Sequence, residues 1–417
     1  MNTHDFNFYH GHDPRELVKT FGSPLYVYNE RILRERCAEM VGFSSYPKFV
    51  VNYAVKTNSN LSLLKIIREE GLHTDISSEG EAVAAMAAGF LPKEMLFTLN
   101  GVGAAELEFA AKIGATISVD SLSQLETLGK VAAGGRIFLR FNSGVGGGHH
   151  EKVITGGDGT KFGIMPQYIP QVKELLAKYD LKLIGINHHI GSQNPGEAYL
   201  AGVRALLELA RQFDDLEYID FGGGFATPYH KQSGEKPLDL RAIGAAADEL
   251  FFDFAKSYGK ELTYVIEPGR YVVAESAVLL GTVHSIKNCG SQKYAGTDLG
   301  FSVFKRPTVY DAHHDIEIYR GGARPLHLTE TAPPERINIV GNQCETGDYI
   351  ARDRDLPPLR EGDILGVTDA GAYGYSMACR YNHRARPAEV LITIAGDAKL
   401  IRRRDTYEEM LENMQGL

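Results

Sequence analysis

Cysteine is scarce in this chain: four residues in 417, Cys37, Cys289, Cys344 and Cys379. They lie far apart, form no CxxC pair that would suggest a metal site, and are too few for a disulfide framework. Basic residues are in deficit. Lys and Arg number 44 against 53 Asp and Glu, a formal net charge of -9. That balance argues against a nucleic-acid or membrane-surface partner. Long apolar runs are missing too, since none reaches the roughly 18 residues a membrane span needs. The opening MNTHDFNFYHGHD is polar, without the apolar centre of a signal peptide. These shortages point to a soluble protein, expected in the cytoplasm. The composition, 43% hydrophobic and 23% charged, is that of an ordinary globular chain.

The chain does have a regular alternation. From residue 49 to 269, short apolar runs alternate with longer amphipathic stretches. The runs are FVVNYAVK (49–56), HTDISS (73–78), EMLFTL (94–99), TISVDS (116–121), RIFLRFN (136–142), KLIGINHHIG (182–191), LEYIDFGG (216–223) and LTYVIEPG (262–269). Eight strands with helices between them match a (β/α)8 barrel and its usual span of about 250 residues. After Arg270 the pattern changes. YVVAESAVLLGTVHSIK, HDIEIYRG, RINIVG, DILGVTD and AEVLITIAG are strand-like, and long helical patterns are scarce. The expectation is an α/β chain: a barrel over 28–275, and a β-rich domain made of 1–27 and 276–417.

Barrels of this type carry their chemistry at the C-terminal ends of the strands, and the unusual residues of this chain fall there. Lys56 ends the first run. Asp75, Ser77 and Ser78 end the second. His188, His189, Gly191 and Ser192 follow the sixth. Gly222, Gly223 and Gly224 end the seventh, and Glu267, Pro268, Gly269 and Arg270 the eighth. Packing alone would not place so many polar groups on one rim. Strand alternation puts Val50, Asn52, Ala54 and Lys56 on the inward face. A lysine snorkelling at a strand end is common; in this company Lys56 reads instead as a partly desolvated, reactive amine able to form a Schiff base. DFGGGF (220–225) offers backbone N–H donors to an anion, and Ser192 a hydroxyl. A lysine Schiff base beside a phosphate cradle implies pyridoxal phosphate, with Glu267 as partner of its ring nitrogen. His189 could lie on that ring. The histidine pairs at 149–150, 188–189 and 313–314 lack metal-ligand spacing, so no metal is expected.

YAVKTN, HHIGSQ, DFGGGF, EPGR, CETGD and GAYGYSMACRYN, in this order, resemble the pyridoxal-phosphate decarboxylases with the alanine racemase-like barrel. Within that group they are most similar to the diaminopimelate decarboxylases. The glycine-rich stretch 144–164 is similar too. The resemblance implies a Schiff-base role for Lys56 and cofactor contacts from Asp75, His189, Ser192, Gly222, Gly223, Gly224, Glu267, Pro268, Gly269, Arg270 and Tyr373. It implies that Arg306 and Tyr310 hold the substrate's distal carboxylate, with Arg270 sharing that task or supporting the phosphate. Glu345 takes the distal amine, Tyr373 touches substrate, and Cys344 is the proton donor. Cys344 and its neighbours reach the site from the partner subunit of a homodimer. The implied reaction is decarboxylation of meso-2,6-diaminopimelate to L-lysine. Asn342, Gln343 and Arg380, and DLGFSVFK at 298–305, depart from the family pattern. They leave ornithine, lysine and carboxynorspermidine as alternative substrates. A racemase and a non-catalytic relative are the more distant alternatives.

Overall fold

Apolar runs separated by amphipathic stretches can bury both faces only if helices cover a parallel sheet, and the first unit is built that way. The structure, a computed structural model, describes residues 7–148, 150, 152, 154–157, 159–326 and 333–415. Contacts divide the chain into two units. One holds Arg34–Thr227 and Pro237–Val272; the other holds the described residues up to Leu33, Pro228–Lys236 and those from Val273 onward. Strand β1 (Leu25–Asn29) belongs to the second unit.

The first unit is a closed barrel of eight parallel strands: β2 (Phe49–Ala54), β3 (His73–Ile76), β4 (Met95–Thr98), β5 (Thr116–Val119), β6 (Arg136–Arg140), β7 (Lys182–Asn187), β8 (Tyr218–Asp220) and β9 (Thr263–Ile266). Its expected strands are all present. Ala54 pairs with Asp75, and Val51 pairs with Ile266 to close the ring. The covering helices form for local reasons. In Leu61–Glu69, Asn60 caps the start by accepting from Ser62 N at 2.9 Å, and Leu63, Leu64, Ile66 and Ile67 form the buried face. Burying each such side chain contributes about 1.5–3 kcal/mol. Leu63→Ala would cost about 2–5 kcal/mol through the cavity it leaves.

The second unit is a mixed sheet. Strands β10 (Ala277–Cys289), β11 (Gln292–Thr297), β12 (Ile316–Tyr319), β13 (Glu335–Val340), β14 (Tyr349–Leu356), β15 (Ile364–Val367), β16 (Ala388–Ile392) and β17 (Ala398–Arg402) join β1 in the order β14-β13-β11-β10-β1-β16-β17. β15 pairs with β10 and β12. β1 is wholly buried and lies between antiparallel β10 and parallel β16. Leu25, Val27, Val278, Leu280, Val390 and Ile392 form the core there. No helix among the described residues is long and apolar enough to cross a membrane.

Candidate active site

Lys56 lies just beyond β2. The strand ends at Ala54, and Val55–Thr57 is a single 3-10 turn. Alternation holds for Val50 and Asn52, which line the barrel interior. It stops two residues short of Lys56, so the turn sets that side chain's direction. The Lys56 side chain is 43% exposed, and its Nζ donates to Asp75 Oδ2 at 2.7 Å. Asp75 is buried at the end of the neighbouring strand, and its other oxygen accepts from Thr98 Oγ1 at 2.5 Å.

The turn carrying Lys56 packs against the EPGR turn. Ala54 N donates to Pro268 O at 3.2 Å. A Cβ at Gly269 would stand 2.1 Å from Thr57 Oγ1, so only glycine lets the two turns meet. Glu267 is buried, and its carboxyl is pushed well above the usual range. Burial is the main cause and the charge of Asp220 the next; Lys56 pulls the other way. Its Oε1 is buried and has no hydrogen-bond partner. Asp220, also buried, is raised to about 7, chiefly by burial, while its Oδ1 accepts from Gly222 N at 2.9 Å.

The glycines after β8 run close against the backbone of Glu267. A Cβ on Gly223 would stand 2.1 Å from Glu267 O. Gly223 N donates to His189 Nδ1 at 3.2 Å. That bond requires an unprotonated Nδ1, in keeping with an imidazole whose pKa lies well below its ordinary value through burial and then Arg140. His188 faces the other way: its Nδ1 lies 2.8 Å from Ser143 Oγ, and burial lowers it to about 3. Ser192 accepts from Arg270 Nε at 3.2 Å and Nη2 at 2.9 Å, tying the loop after β7 to the EPGR turn.

Arg140, at the end of β6, escaped the sequence reading. Burial lowers its pKa against the pull of Glu267, Asp120, Asp75 and Asp220. A signal existed, since Arg140 shares strand parity with the inward Phe138. In the glycine-rich stretch, residues 149, 151, 153 and 158 lie outside the described residues. Asn142 pins its described part, accepting from Gly144 N and Gly157 N at 3.0 Å each.

The remaining expected site residues belong to the second unit. Cys344 and Glu345 are held together by two residues not singled out from sequence. Asn382 Nδ2 donates to Cys344 Sγ at 3.3 Å, and Cys344 N donates to Asn382 Oδ1 at 3.3 Å. Tyr381 OH donates to Glu345 Oε1 at 2.6 Å and lies 3.9 Å from Cys344 Sγ. Arg306 is 1% exposed. Its Nε donates to His314 Nε2 at 3.1 Å, its guanidinium lies over the Tyr229 ring, and one terminal nitrogen is buried with no hydrogen-bond partner. Tyr310 ends the same short helix, Arg306–Tyr310. Tyr373 sits in left-handed backbone at φ +55°, a conformation costly outside glycine and concentrated at functional sites. The departures have local partners: Gln343 Nε2 donates to Ser302 Oγ at 2.6 Å, and Arg380 Nε to Asp405 Oδ2 at 2.8 Å.

A family profile described as "Pyridoxal-dependent decarboxylase, pyridoxal binding domain" matches residues 32–274. The chain is 40% identical to the diaminopimelate decarboxylase of Methanothermobacter thermautotrophicus, covering 96% of this chain and 94% of that one. It is 36% identical to that of Escherichia coli strain K12, covering 95% and 94%. The chain belongs to the diaminopimelate decarboxylase family of pyridoxal-dependent decarboxylases. Solved members share the fold. A diaminopimelate decarboxylase crystal structure superposes with a TM-score of 0.88 at 34% identity over 95% of both chains. The Helicobacter pylori enzyme complexed with L-lysine superposes at 0.84, with 28% identity over 95% of this chain and 98% of that one.

The family's cofactor is pyridoxal 5'-phosphate, and the residues present fit it on two counts. The buried, unpartnered Glu267 Oε1 is what a protonated ring nitrogen would satisfy. The backbone at Gly222 and Gly224 is left-handed, a conformation that suits a close anion cradle.

Proposed function

We propose that this protein decarboxylates meso-2,6-diaminopimelate to L-lysine. The observation that carries the reading is the match to diaminopimelate decarboxylases along nearly the whole chain, through both units. The bond from Cα to one carboxylate breaks, CO2 leaves, and a proton takes its place. Pyridoxal phosphate, when bound, supplies the sink for the electron pair released with CO2.

The chain's own residues do the rest. Lys56 is the amine that carries the cofactor, with Asp75 as its counter-charge. Glu267 holds the ring nitrogen protonated. That carboxylate favours a strong electron sink and therefore decarboxylation, where a racemase would prefer a weak partner such as arginine. His189, neutral and fixed by Gly223 N, offers its flat ring to the cofactor. Gly222, Gly223, Gly224, Ser192 and the turn of Pro268, Gly269 and Arg270 bind the phosphate. The bonds from Arg270 to Ser192 favour this supporting role over contact with the distal carboxylate.

Arg306 and Tyr310 take the distal carboxylate. The buried, unpartnered nitrogen of Arg306 supports this, because a carboxylate would satisfy it with a charge-assisted bond. Glu345 takes the distal amine, and Tyr373 touches phosphate and substrate. Cys344 returns the proton, reaching the site from the partner subunit of a homodimer in the cytoplasm.

Release of CO2 and L-lysine from meso-2,6-diaminopimelate, measured with and without added pyridoxal phosphate, tests the reading. Turnover of ornithine, lysine or carboxynorspermidine with none of diaminopimelate would overturn it. Mixing inactive Lys56→Ala and Cys344→Ala proteins tests the shared site. About one quarter of wild-type activity should return, the statistical share for randomly mixed dimers with one intact site.

A further inference from the structure

The opposite end of the barrel holds a cavity of about 410 Å³. Its lining residues come from the starts and middles of the strands and the residues just before them, toward the end away from Lys56. One wall is apolar, made of Phe138 and Ile184, which belong to a small cluster separate from the main core. Another is polar. Asn52 lines the cavity from β2 and is 6% exposed. His73, half-buried, lines the same space, and burial lowers its pKa, so it stands there as a neutral imidazole. The mouth carries Lys93 and Arg136. Arg136 shares the Glu217 carboxylate with Lys182, leaving one positive charge in excess. Glu94 also lines the cavity, its carboxylate accepting from Leu91 N at 2.8 Å, and its charge offsets that of Lys93, so the excess at the mouth stays at one positive charge.

This arrangement has no role in the site described above. Water can meet the Asn52 amide, but it gains nothing against the Phe138 and Ile184 wall, which an apolar body would cover. A ligand that answers every wall has an apolar body, a hydrogen-bonding group for Asn52 and a negative charge for the mouth. We infer that the N-terminal mouth of the barrel is a binding site for a small organic carboxylate with an apolar body. Its carboxylate lies toward Lys93 and Arg136, and its body lies against Phe138 and Ile184.

Benzoate is the probe, with benzyl alcohol as the uncharged control, both added to the holoenzyme and followed by ligand-observed NMR. Benzoate should bind saturably, and benzyl alcohol roughly tenfold more weakly or worse. Lys93→Glu, at an exposed position with no bearing on folding, should weaken benzoate by roughly tenfold or more. Asn52→Leu should do the same by filling the cavity, and should leave turnover unchanged. Absence of saturable benzoate binding would overturn the inference, leaving a pocket that holds water only. So would benzoate binding that neither variant weakens, since the anion would then sit elsewhere on the chain.

Discussion

Asn382 and Cys344 hold each other by two hydrogen bonds, one from the amide nitrogen to Sγ and one from the backbone N–H of Cys344 to the amide oxygen, each 3.3 Å. With φ at +53°, Asn382 adopts the left-handed backbone that asparagine tolerates better than most residues. If Cys344 gives up the proton, as proposed, a donor on Sγ would help to hold the charge left on sulfur. Asn382→Ala should therefore lower turnover by roughly tenfold, the worth of one or two such bonds. Cofactor absorbance should not change. Asn382→Asp, which loses the donor and adds a charge, should not rescue. Wild-type turnover in both variants would show that Asn382 plays no part in the proton transfer.

Lys56 and Asp75 form the corresponding pair in the barrel. Lys56→Ala should abolish turnover and the visible absorbance of lysine-linked cofactor. Asp75→Asn removes the counter-charge but keeps the hydrogen-bonding shape, so it should bind cofactor yet lose at least roughly tenfold in rate. A Lys56→Ala protein that stays yellow and active would refute the assignment.

The barrel was readable because its signal is periodic and repeated eight times, and because the unusual polar residues recur at one end of the repeat. The site's finer geometry was not. The direction of Lys56 depends on where β2 gives way to a 3-10 turn, which the apolar run YAVK does not mark. YVVAES reads as strand from its valines, yet Arg270–Val273 is helical, followed by a 3-10 turn. The strands QKYAGT, YIARDRDL and AKLIR carry little apolar signal; they exist because neighbouring strands pair with them. Asn382 lies 38 residues from Cys344, and only the fold shows that they meet.

The Asp220 and Glu267 carboxyls should leave a signature in the cofactor-free protein. Asp220 is raised to about 7 in the fold, against about 4 in an unfolded chain. Across that window the folded state holds a proton that the unfolded state has released. Its contribution to stability is therefore greatest at low pH and is lost as pH rises toward 7. His188, lowered to about 3, acts in the opposite sense below about 6.5, so a single melting curve mixes the two. A difference separates them. Asp220→Asn should gain melting temperature relative to wild type between pH 5 and pH 8, by about 3 °C or more. A difference that stays flat with pH would refute the raised carboxyl.

Arg380, one of the expected departures from the family pattern, has an ion-pair partner in Asp405. Arg380 and Arg386 both reach Asp405 Oδ2 at 2.8 Å. Their hydrogen bonds and charges hold that carboxyl below the usual range despite burial. Arg380→Asn should cost about 1 kcal/mol or less in a denaturant titration, because Arg386 remains. The ratio of turnover on diaminopimelate to that on other diamino acids should not move. A shift in that ratio would return Arg380 to substrate selection.

Gly223 tests the cradle from the backbone side. Its missing Cβ lets the chain pass beneath Glu267 O, which an alanine methyl would meet at 2.1 Å. The obstacle is a backbone carbonyl of the EPGR turn, so no side-chain rotation relieves it. Gly223→Ala must move either the glycine run or that turn, and both also position His189 and Glu267. The variant should lose cofactor affinity by at least roughly tenfold and melt at lower temperature. Gly234→Ala is the contrast: it faces open space at left-handed φ +85°, so it carries the backbone strain that Gly223, which is not left-handed, lacks, and it has no collision. It should lose some stability but keep cofactor affinity. Unchanged cofactor affinity in Gly223→Ala would mean that the close approach to Glu267 O does not support the cofactor site.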